Sequence, residues 1–183
     1  MSVMEFILVA HSIIVGLAIA EILRGLADLV WAEGTRVSYR LLMMAGWALL
    51  LLLQVWWAIW QVGDRPGWTF PEFLIFLLPV AILYVFARLC FPERVAETNL
   101  QEYYLHVAPA LFLLVAATYA TFAFLLSPFV FRTFVPWLFA SQLVLVVLAI
   151  VSSRYRARAF HFLVLAAMIA QVGWRGLATV VGS

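Results

Sequence analysis

The stretch LLMMAGWALLLLLQVWWAIWQV, residues 41–62, carries no charge, and its reading decides the fold. A helix needs about 20 apolar residues to cross the roughly 30 Å core of a bilayer. Lipid offers no partner to an unpaired backbone N–H, so a run of this length spans as a helix. Working outward, five more runs meet the same criterion, at 4–31, 71–91, 102–126, 131–151 and 157–181. The apolar portion of the first ends near Leu23. The connectors carry the punctuation, with GDRPG at 63–67, PERVAETN at 92–99 and SPF at 127–129. None is long enough to separate domains. The sequence therefore predicts an all-α polytopic membrane protein, a bundle of six transmembrane helices forming a single domain over 1–183.

Composition agrees. Hydrophobic residues make up 67% of the chain and charged residues 11%, against about a quarter charged in a soluble domain. All eleven basic residues are arginine. Without lysine the chain cannot form a retinal or pyridoxal Schiff base or a Walker-type phosphate loop. The net charge of +2 is spread thinly, which argues against a nucleic-acid partner. Cys90 stands alone, so neither an internal disulfide nor a thiolate metal cluster is available. Ala18 and Ala20 form an A-x-A after an apolar run. Glu5 replaces the positive flank of a signal peptide, so the first segment is read as retained.

Arginine placement orients the bundle. Arg65, Arg132 and Arg175 fall on one side of a six-span topology. Arg24, Arg36, Arg40, Arg88, Arg94, Arg154, Arg156 and Arg158 fall on the other. The positive-inside rule puts the second group in the cytoplasm and both termini outside, in a bacterial-type inner membrane. RGLADLV at 24–30 recurs as RGLATVV at 175–181, a similarity that short apolar segments reach by chance.

Polar residues inside the apolar runs are the site candidates. Glu21, Arg24 and Asp28 lie within about 60° of each other on one helical face. They read as a self-paired patch where the first helix leaves the lipid, or as a cytoplasmic vestibule. Ser12, Gly16 and Ala20 recur every four residues, a small-residue stripe suited to tight helix packing. Trp47, Gln54 and Gln61 share a face of the second helix. Gln54 must meet a partner or water, since an unpaired amide in lipid costs on the order of several kcal/mol. Gln142 is a partner by type. Pro79 and Pro109 each free a carbonyl inside a helix and permit a kink. Tyr84 and Arg88 are spaced as an i,i+4 pair, and His161, Met168, Gln171 and Arg175 form a stripe on the sixth helix. His106 and His161 stand near the same membrane face, where a haem b would need facing imidazoles. Glu102 and Tyr103 are local partners for His106. No metal spacing is present.

No G-x-S-x-G, H-E-x-x-H or paired carboxylates at membrane depth occur, so catalysis is not expected. The leading expectation is a channel or transporter acting as a homo-oligomer in the lipid bilayer without a cofactor. Gln54, Gln142, Trp47 and Gln61 would then face the polar interior. The alternatives are a non-catalytic accessory or scaffold subunit of a larger membrane complex, and a small b-type cytochrome or quinone-associated protein resting on His106 and His161.

Overall fold

The structure, a computed structural model, describes residues 3–32, 37–58, 67–131, 135–155 and 157–181, with side chains as far as Trp174 in the last segment. Gln61 lies outside the described residues, as does the side chain of Arg175. The described residues contain six long helices and no strand. They are α1 (Val3–Trp31), α2 (Tyr39–Ala58), α3 (Phe70–Cys90), α4 (Leu100–Ala120), α5 (Pro136–Arg154) and α6 (Arg158–Val181). Five of these segments are long and apolar enough to cross a bilayer, α4 together with its continuation to Val130. The chain is a multi-pass membrane protein.

Local chemistry sets the ends. At α3, Thr69 Oγ1 accepts from the Glu72 amide at 3.4 Å while the Glu72 carboxylate accepts from Thr69 N at 3.0 Å. This reciprocal cap satisfies two donors that the first turn leaves free. Pro92 follows the helix and holds Phe91 extended, at φ −123° and ψ 143°. Asn99 caps α4 by accepting from Gln101 N at 3.1 Å. Val135 is extended ahead of Pro136, which opens α5.

The sequence reading errs at one boundary. SPF at 127–129 is not a connector: α4 runs on without a break into a π-helical stretch, Thr121–Val130. Phe131 N reaches back to Leu126 O at 2.9 Å, and Ser127 Oγ donates to Phe122 O at 2.9 Å, both five residues away. Proline is expected to stop an α-helix because it lacks an N–H and crowds the carbonyl four residues back. A wider π turn displaces that carbonyl, so Pro128 is carried within it. The following helix accordingly begins at Pro136 rather than at residue 131.

Around the bundle the helices touch in the order α1, α3, α4, α5, α6, α2, with α2 also against α3 and α4. Successive helices alternate in direction. Glu21, Arg40, Arg88, Tyr104, Ser152 and His161 consequently gather at one end, the arginine-rich end. The core is aromatic at its centre, where Trp47, Phe86, Phe112 and Tyr119 are fully buried. Trp47 meets Phe86 edge-on at 5.4 Å and donates from Nε1 to the Tyr119 hydroxyl at 3.2 Å.

On α1 the buried side is Ile7, His11, Val15, Ala18, Ile22 and Gly25. The predicted packing stripe is on the other side: Gly16 and Ala20 are not buried, Ser12 is half-buried, and a Cβ on Gly16 would meet nothing within 4 Å. Close approach occurs instead at Gly25, where the Phe91 ring occupies the place of a Cβ. The small residues do share a face, but it is turned away from the bundle beside the exposed Ile13 and Leu17, while α1 packs inward through Ile7, Val15, Ala18 and Ile22.

Candidate functional site

The bundle interior holds polar groups in two layers, separated by the aromatic centre. The first layer lies in the half away from the arginine-rich end, between α2, α5 and α6. Gln54 donates from Nε2 to Val172 O at 3.4 Å, so it turns to the α6 backbone, and no bond joins it to Gln142. One residue before Val172, Gln171 donates to Ser141 Oγ at 3.4 Å. Ser141 in turn donates to Leu138 O at 2.7 Å. Gln142, next in the chain, is 1% exposed. Its Oε1 and that of Gln171 are buried without a hydrogen-bond partner. Both donating contacts are long for N–H···O bonds. This layer is held loosely and has acceptor capacity to spare.

The second layer sits at the arginine-rich end. His161 Nε2 faces two backbone carbonyls, Ser152 O at 3.0 Å and Tyr155 O at 2.7 Å. Carbonyls only accept, so Nε2 carries the hydrogen. In that tautomer Nδ1 accepts, here from the Tyr104 hydroxyl at 2.8 Å. One imidazole thereby ties α4, the end of α5 and the start of α6. Phe112 covers the same ring at 4.8 Å. Arg40, at the start of α2, lays its guanidinium over the Tyr104 ring at 4.5 Å. It is 8% exposed, and its Nη1 is buried without a hydrogen-bond partner. Two residues before it, Ser38 Oγ is also buried and unpartnered.

His106 does not join this layer. It lies on α4 away from the buried stripe, while His161 is buried with both nitrogens engaged. The two imidazoles do not face one another. The proposed local partners of His106 are committed elsewhere: Glu102 accepts from Asn99 at 2.9 Å, and Tyr103 donates to Leu89 O at 3.0 Å. Among the described residues no group of three or more His, Cys, Asp or Glu side chains is placed to hold a metal ion.

The Glu21 patch is built as its spacing implies, with one addition. Arg24 pairs with Glu21 at 3.1 Å and with Asp28 at 3.0 Å, along one face of α1. Glu21 also accepts from Arg88 of α3 at 3.3 Å, and Arg88 reaches Glu93 at 3.6 Å. Arg88 therefore turns to Glu21 and Glu93 rather than to Tyr84. The patch is an interhelical tie at the bundle edge. Pro79 is buried within α3 and Pro109 half-buried within α4; both helices continue through them.

Arg40, Ser38, Tyr104 and Tyr119 do not stand out in the sequence as site residues. The legible signal is in α4, where Tyr104, Ala108, Leu111, Phe112, Val115 and Tyr119 recur at helical spacing as one buried stripe carrying two hydroxyls. No family model, curated protein or solved structure matches this chain.

Proposed function

We propose that this chain is a small transporter of a bacterial-type inner membrane, moving a small hydrogen-bond-donating solute and working as a homo-oligomer with both termini on the outer face. The observation that carries the reading is the amide layer: two glutamine oxygens, on Gln142 and Gln171, buried without partners among apolar helices. Such acceptors are costly to hold in a dry interior and suit a passing donor or water. Eight arginines at one end against three at the other favour the orientation. The exposed Gly16 and Ala20, with half-buried Ser12 beside them, suit contact between copies.

The fully buried Trp47, Phe86 and Tyr119 close the space between the layers. A solute would cross only by rearrangement of the helices, as in a carrier. Proteoliposome uptake of urea, glycerol and methylammonium tests this. Uptake of at least one should exceed protein-free vesicles and fall about tenfold or more in Gln142→Leu, a loss equivalent to about 1.4 kcal/mol. Equal uptake by the wild type and protein-free vesicles would remove the transport reading.

The closed centre favours a second reading, an accessory subunit of a larger membrane complex. Trp56 and Trp57 point outward from α2 and would supply its docking face. Copurification with a defined complex, alongside an absence of flux, selects it.

A further inference from the structure

Arg40 is a cation buried at the rim of a membrane bundle with no carboxylate of the described residues against it. Arg24, Arg88 and Arg94 at the same end each pair with an acid. Arg40 makes no ion pair among the described residues, and the Tyr104 ring is its one charge-directed contact. A ring face compensates part of a guanidinium's lost hydration but accepts no N–H in its plane. Nη1 is left bare for that reason.

Two further groups adjoin Arg40 in the chain. Ser38 Oγ is 4% exposed by residue and also lacks a partner, although it precedes a helix it would ordinarily cap. The first bond of α2 runs from Leu42 N to Ser38 O at 3.1 Å, so the amides of Tyr39, Arg40 and Leu41 have no intrahelical acceptor. A guanidinium, a hydroxyl and a helix N-terminus together offer donors and positive potential, and no acid among the described residues fills the place.

We infer that Arg40, Ser38 and the N-terminus of α2 form a binding site for a phosphate-type oxyanion at the arginine-rich end. The oxyanion accepts from Nη1 of Arg40 and from the Ser38 hydroxyl, with the α2 amides behind it. A lipid headgroup phosphate and free inorganic phosphate share this chemistry. The site stands independently of the transport reading, since none of its groups belongs to the amide layer.

Thermal unfolding of the full chain in neutral detergent, followed by tryptophan fluorescence, tests the site with two probes. One is inorganic phosphate against chloride at equal ionic strength. The other is phosphatidylglycerol against phosphate-free diacylglycerol in mixed micelles. The wild type should gain midpoint temperature with phosphatidylglycerol. A gain with inorganic phosphate as well assigns the site to any phosphate, and a gain with the lipid alone assigns it to a headgroup. Arg40→Gln should raise the half-maximal concentration about tenfold or more, and Ser38→Ala severalfold, while exposed Arg94→Gln leaves it unchanged. Without either probe Arg40→Gln should unfold no earlier than the wild type, because it removes an unpaired charge; a purely structural arginine would give earlier unfolding in every condition. Should Arg40→Gln fail to fold, Ser38→Ala decides on the same readout. No response of the wild type to either probe, or an unchanged response in the variants, overturns the site.

Discussion

Gly25 illustrates how one residue fixes the approach of two segments. Its missing side chain admits the Phe91 ring, which belongs to the bend after α3, against the last turns of α1. An alanine there would remove the roughly 1 kcal/mol helix penalty of glycine. It would also place a methyl against ring carbons and against Phe91 Cβ at 2.8 Å, which ring rotation alone cannot clear. Overpacking of this kind costs about 1–3 kcal/mol, so the clash outweighs the propensity gain. Gly25→Ala should therefore lose stability, by up to about 2 kcal/mol, in detergent unfolding. In a double-mutant cycle with Phe91→Ala the loss should shrink, since most of the obstructing ring is gone; additive losses would place the effect elsewhere. His161 works differently, through bonds rather than shape, and its two nitrogens hold three chain segments in one register.

Among the elements, the π-helical end of α4 is the one that composition alone does not disclose. Spanning length, charge-free runs and proline punctuation make six helices readable, because each is a property of a local window. Whether Pro128 ends a helix or rides in a widened turn depends on the packing of α3 and α5 against Thr121–Val130, which no window contains. The same distinction divides the candidate residues. Glu21, Arg24 and Asp28 are paired by helical geometry, so their spacing suffices. Gln54 and Gln142 are polar at depth and visible as such, but the choice of the Val172 carbonyl over a second amide is tertiary. In the sequence Arg40 is like any boundary arginine; that no acid among the described residues pairs with it is a property of the packed bundle. Pro128→Ala should restore a backbone donor and draw the stretch toward ordinary α-helix. Hydrogen exchange over residues 121–130 should then slow about fivefold, one hydrogen bond's worth; unchanged exchange would mean that neighbouring helices, not proline, impose the π geometry.

At the scale of the molecule, six antiparallel helices bring residues 3 and 181 to the same end of the bundle, away from Glu21, Arg40 and His161. Cys90 makes this straightforward to test, since it is the one cysteine in the sequence and is fully buried. Thiol-reactive, membrane-impermeant reagents should leave the wild type in intact cells unmodified. They should label Ser2→Cys and Ser183→Cys from outside, and Arg94→Cys only after permeabilisation. Opposite accessibility of the first pair and Arg94→Cys inverts the orientation, and labelling of only one terminus breaks the even count of crossings. The helices are also unequal in reach. From Leu100 to Val130 the continuous helix has 31 residues, while α5 beside it has 19. At about 1.5 Å per residue the α-helical part of the first, Leu100–Ala120, is already about 32 Å before its π-helical turns add to it, and the second is about 28 Å. A single hydrocarbon thickness cannot suit both: acyl chains matched to α5 force its longer neighbour to lean or protrude, and thicker leaflets relax that tilt while stretching α5. The lipid's own chain length thus becomes a mechanical input to this fold, transmitted along the α4–α5 seam.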